Sequence, residues 1–144
     1  MKLLYSTAAA QNRPMPKPAP EVLDMWGGEI FVFPNLMILP QAGNAMIYRV
    51  RPHSSDPDRC IFEILSTKTY PAALTPPRAT GEKVTALSDP EQVRLIPRQD
   101  LGNLPRMQRG LHSRGCKQIW LAKYYEQIIL HMHQELDRYL CSGE

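Results

Sequence analysis

At 144 residues and 16.4 kDa the chain has the length of one domain. Its 43% hydrophobic and 22% charged residues exclude a disordered chain, and no apolar run approaches the ~18 residues of a membrane span. The net charge of +3 is small, and Arg94, Arg98, Arg106, Arg109, Arg114 and Lys117 are interleaved with neutral residues. They read as a solvated helical face, with no concentrated patch or stacking aromatics to fit nucleic acid.

The segment Met1-Lys2-Leu3-Leu4-Tyr5-Ser6-Thr7-Ala8-Ala9-Ala10 has the small-residue end of a signal peptide. Its apolar core is short and broken, so a cytoplasmic protein is the expectation. Pro14, Pro16, Pro18 and Pro20 alternate through a stretch incompatible with helix. Residues 1–22 are therefore expected as an extended, proline-rich lead-in to a domain over 23–144.

From Glu29 to Leu39 the β-branched and aromatic residues predict a buried strand interrupted at Pro34. Gln41-Ala42-Gly43-Asn44 is a turn signal, Ala45 to Arg51 a second strand, and Cys60 to Tyr70 a third beyond a polar loop. Consecutive strands with short links make an antiparallel meander. Asp89-Pro90-Glu91-Gln92 carries a helix-start signature: a capping side chain, proline at the first position and Gln three residues on. Pro97 and Pro105 are expected to break or kink the helix that follows. The spacing of Leu121, Tyr125, Ile128, Met132, Leu136 and Tyr139 predicts a long helix over about 120–140, with an apolar stripe to press on a sheet.

Motifs for chemistry are sparse. Cys60, Cys116 and Cys141 are widely spaced, with no Cys-x-x-Cys and no Cys-x-His, which leaves no iron–sulfur or zinc motif. His131 and His133 are two residues apart and point about 200° apart on a helix, so they do not share a metal. His53 and His112 have no partner at ligand spacing. By spacing alone, Asp100 reads as a cap or a solvated charge.

A longer pattern changes that reading. Phe33-Pro34-Asn35 and Tyr48-Arg49-Val50-Arg51-Pro52 are followed by Gln99-Asp100-Leu101-Gly102-Asn103 and Gln108-Arg109-Gly110-Leu111. Tyr124-Tyr125-Glu126, His131-Met132-His133 and Leu136-Asp137-Arg138-Tyr139-Leu140 complete the series. In this order, over about residues 28–141, they resemble the C-terminal part of the catalytic domain of Rieske-type aromatic ring-hydroxylating dioxygenase α subunits.

The resemblance implies an α+β helix-grip half-domain, an antiparallel sheet of about three or more strands packed on a long C-terminal helix. It implies a mononuclear Fe(II) oxygenase acting on an aromatic small molecule, with electrons from a Rieske cluster on a neighbouring subunit. Asp100 matches the carboxylate iron ligand. Asn103 and Gln108 match positions that support it through hydrogen bonds, and Phe33, Asn35 and Ile96 match substrate-cavity positions.

The family's Rieske motifs are missing, as is the Asp/Glu-x-x-His-x-x-x-x-His segment that supplies the two histidine ligands. One carboxylate holds Fe(II) weakly, because affinity comes from several preorganised ligands. The chain by itself is thus expected to bind no iron and to catalyse nothing. Three readings follow: a part of an oxygenase catalytic domain that needs its upstream half, a non-catalytic module for a hydrophobic ligand, and a homo-oligomer built on an open sheet edge.

Overall fold

A computed structural model describes residues 2–13, 15, 19–21, 28–41, 43–86 and 88–142. The chain divides into two compact units, one of Met1–Pro76 with Ala122–Glu144 and one of Pro77–Leu121.

The first unit opens with helix α1 (Lys2–Ala10), where an extended lead-in was expected. Leucine and three consecutive alanines are strong helix formers. The hydroxyls of Ser6 and Thr7 donate back to the Leu3 carbonyl at 2.8 and 2.9 Å, a bond that lets them sit inside a helix. Ala8 on this helix is buried. The alternating prolines at 14, 16 and 18 lie outside the described residues.

Four strands follow: β1 (Ile30–Val32), β2 (Leu36–Gln41), β3 (Asn44–Pro52) and β4 (Cys60–Lys68). They pair in sequence order as one antiparallel sheet. The single strand expected over 29–39 is two strands, because Phe33-Pro34-Asn35 forms a turn that folds β2 back onto β1. The Phe33–Pro34 bond is cis.

Gln41 pairs with Asn44, leaving a two-residue link in which Gly43 takes φ 80°. Only a residue without Cβ enters that region at little cost. The β3–β4 loop closes where His53 N–H donates to the Arg59 carbonyl, and Asp56 caps it by accepting from Asp58 N–H. After β4 a 3-10 turn spans Ala72–Leu74.

The last helix of this unit, here α2, spans Gln127–Cys141. It starts seven residues later than the apolar spacing suggested, since 123–125 form a turn. Leu121 and Tyr125 therefore fall outside the stripe, and Ile129, Met132 and Leu136 are its half-buried centre. Tyr139 stacks on Phe33 of the β1–β2 turn, centroids 5.3 Å apart and planes 17° apart, which fastens the helix to the sheet.

In the second unit the expected helix start at Asp89 is a turn instead. Asp89 accepts from Glu91 N–H and from the Gln92 side chain, both at 2.9 Å. Those bonds hold its carboxyl below the usual carboxylate range, the Glu91 amide being the largest influence. Helix α3 (Leu95–Leu111) begins beyond it. Pro97 falls in its first turn, where no intrahelical N–H bond is lost. Pro105 lies inside, yet the helix runs through it unbroken to Leu111. Val93, Pro97 and Leu101 are buried and form the small core of this unit.

Candidate functional site

The positions singled out by the sequence divide between the two units. Ile96, Asp100, Asn103 and Gln108 all lie on α3, and Phe33 and Asn35 lie in the β1–β2 turn.

On α3 the helical repeat decides which residues share a face. At about 100° per residue, Ile96, Asn103 and Met107 all fall within about 60° of Asp100. All four are exposed. Pro97 and Leu101 are buried on a stripe centred about 80° away, and half-buried Gln108 lies on that stripe. Gln108 is also eight residues from Asp100, about 12 Å along the axis. The helix thus groups Ile96, Asp100 and Asn103, and sets Gln108 apart from them. Ser88, Arg98, Leu101, Gly102 and Pro105 line a shallow groove on the covered side.

Asp100 is the sole acidic residue between Leu95 and Leu111, a stretch that also carries Arg98, Arg106 and Arg109. A dication approaching Asp100 meets a helix with a net positive charge. One exposed carboxylate does not overcome that repulsion, so further ligands are required. Among the described residues no three His, Cys, Asp or Glu side chains gather into a group able to hold a metal. The described residues do not by themselves assemble the two-histidine, one-carboxylate set of an Fe(II) centre.

Phe33 and Asn35 are half-buried, and both are tied into the sheet. Phe33 stacks on Tyr139, and the Asn35 carbonyl accepts from Val50 N–H at 3.1 Å. Phe33 therefore carries a packing role, whatever else it touches.

The strongest electrostatic feature of the sheet was not picked out in the sequence. Arg49 donates twice to Glu63, Nε to Oε2 at 2.6 Å and Nη2 to Oε1 at 2.9 Å. Arg51 Nε adds a bond to Oε2 at 3.0 Å. The Arg49 and Arg51 bonds hold the Glu63 carboxyl down at about 2, and the same pairing raises Arg49. The signal was available: arginines two apart on β3 face one side of the sheet, and the β3–β4 register sets Glu63 opposite Arg49. Reading it requires the length of the loop, which composition alone does not give.

A family model described as ring hydroxylating alpha subunit (catalytic domain) matches residues 4–142. That span begins well before Phe33, the first residue of the motif series, and takes in α1 from residue 4 on. No curated protein and no solved structure matches the chain.

Proposed function

The chain belongs to the family of ring-hydroxylating α subunit catalytic domains, and from that premise we propose that it supplies the carboxylate ligand of a non-heme iron centre. Asp100 is that ligand, presented on the exposed face of α3 with Asn103 one turn away as its hydrogen-bonding support. The two histidines and the Rieske cluster that delivers electrons come from elsewhere, since neither motif occurs in the sequence. When bound, the iron would supply activation of dioxygen for insertion into an aromatic substrate. Phe33 and Asn35 on the sheet and, separately, Ile96 on α3 are the positions offered for substrate contact, and the assembly works in the cytoplasm.

The family match across the whole Asp100 segment, together with the exposure of that side chain, carries this reading. It is tested by co-expressing the chain with a polypeptide bearing the family's two-histidine segment and a Rieske donor, then feeding benzoate or naphthalene. The expected result is a hydroxylated product that falls at least about a hundredfold in Asp100→Ala. Equal product from Asp100→Ala would remove Asp100 from the chemistry.

A second reading is favoured by one observation: the face of the sheet opposite the Arg49–Glu63–Arg51 cluster is apolar across Met37, Tyr48, Val50, Phe62 and Ile64. A non-catalytic module binding a hydrophobic small molecule would use such a surface without metal. Purified chain that retains an aromatic ligand at about one per chain and gains no iron in the presence of the histidine-bearing partner would support it.

A further inference from the structure

Helix α3 has a second side, turned away from Asp100. At about 100° per residue, Arg94, Arg98, Gly102, Pro105 and Arg109 fall within about 80° of one another, and their centre lies about 160° from Asp100. On this side Ser88, Arg98, Leu101, Gly102 and Pro105 line the groove described above. All five belong to the unit of Pro77–Leu121, so the groove is built within one body. Its volume of about 540 Å³ falls in the ~300–1,000 Å³ range of small-molecule sites.

The floor of the groove is apolar. Leu101 is buried, as are Val93 and Pro97 in the same small core. Pro105 adds its ring, and Gly102 contributes backbone alone. A Cβ on Gly102 would meet nothing within 4 Å. The missing side chain leaves an open notch in the helix surface at that point.

The wall of the groove is cationic. Arg98 is half-buried, whereas Arg94, Arg106 and Arg109 are exposed. Among the described residues the Arg98 guanidinium has no hydrogen-bonded or ion-paired partner. Asp89 is near enough for its charged form to be favoured by Arg98, but its oxygens accept from Glu91 N–H and the Gln92 side chain instead. A guanidinium presents five N–H donors in a fixed fork, and drawing it out of water without a partner is unfavourable. The surroundings favour a negative partner. The unit carries eight Lys and Arg against four Asp and Glu, and no acidic residue occurs from Leu101 to Tyr125.

We propose that this groove binds a small carboxylate with a flat apolar body, an aromatic carboxylate being the simplest example. Arg98 holds the carboxylate through two parallel N–H donors, the charge-assisted pairing that one guanidinium makes with one carboxylate. The Ser88 hydroxyl supplies a further donor at the rim. The ring lies over Leu101 and Pro105, with its edge in the notch at Gly102. One cation meets one anion, and the apolar floor is covered. Inorganic phosphate would satisfy the guanidinium but leave the floor bare. The site is on the side of α3 opposite Asp100 and does not depend on the role of that residue.

Amide NMR of the full chain labelled with nitrogen-15, titrated with sodium benzoate, tests the site. The Gly102 and Ser88 amides should shift saturably, with a dissociation constant of about 1 mM, as suits a ligand of this size. Benzamide, the same ring without the charge, should bind at least about tenfold more weakly. Arg98→Gln should weaken benzoate at least about tenfold, down to the level of benzamide. Gly102→Leu places a better helix former in the notch, so it should abolish binding with no loss of helical far-ultraviolet signal.

Equal benzoate binding by Arg98→Gln or by Gly102→Leu would overturn the proposal. So would benzamide binding as tightly as benzoate, or no saturable shift up to about 20 mM benzoate. Shifts confined to residues of the sheet would belong to the sheet-face reading and would overturn this one. Inorganic phosphate that displaces benzoate at equal concentration would show an anion site without recognition of the ring, and would overturn the ligand class.

Discussion

Glu63 is where a single side chain does most for the sheet. Two arginines of β3 converge on its carboxylate and hold its acidity near 2. An unfolded glutamate titrates at about 4.3, so this pairing stabilises the fold above that pH and is lost as pH falls through about 2. We expect Glu63→Gln to lower the unfolding midpoint at pH 7. The gap between variant and parent should close between about pH 4 and 2, as seen in urea titrations at several pH values. A gap that widens on acidification would contradict the sign. Gly43 is the second sensitive position. Its φ of 80° suits only glycine, although a Cβ there would meet nothing closer than Thr69 Oγ1 at 3.5 Å. Gly43→Ala should therefore cost about 1–2 kcal/mol through backbone conformation alone, read as a Tm lower by several degrees.

At the scale of elements, helix α3 keeps residues that weaken it. Pro105 removes the N–H that would reach the Leu101 carbonyl, and Gly102 adds backbone freedom within the same turns. A Cβ on Gly102 meets nothing within 4 Å. We expect Gly102→Ala to stabilise α3 by about 0.5–1 kcal/mol, visible as slower hydrogen exchange along Leu95–Leu111. Unchanged or faster exchange would show that the glycine is needed where it lies.

The elements also mark where sequence reading held and where it failed. The β2–β3 turn and the strands either side of it were legible, because Gly43 between two runs rich in apolar and β-branched residues leaves few alternatives. The split at Pro34 was half-read: the interruption was visible, but the reversal into two paired strands was not. Asp89-Pro90-Glu91-Gln92 looks like a helix cap, yet the same side-chain bonds close a free-standing turn equally well. In the C-terminal stripe, Leu121 and Tyr125 kept helical spacing by chance while the chain turned at 123–125. Of the candidate site, the grouping of Ile96, Asp100 and Asn103 follows from helical repeat. The distance of Gln108 follows from it too, once Pro105 is seen not to break the helix.

On the molecular scale, a chain of this family carries a sheet with one apolar face, with β4 at its edge among the described strands, and a helix that carries one carboxylate among three arginines. Both features describe a surface completed by something else. For Asp100 we propose that it is the pair of histidines that the sequence lacks. The most direct test is elemental analysis of the chain copurified with the histidine-bearing partner and loaded with Fe(II) without oxygen. The account predicts about one iron per complex, falling at least about tenfold in Asp100→Ala while the complex stays intact. Full iron retention by Asp100→Ala would contradict it.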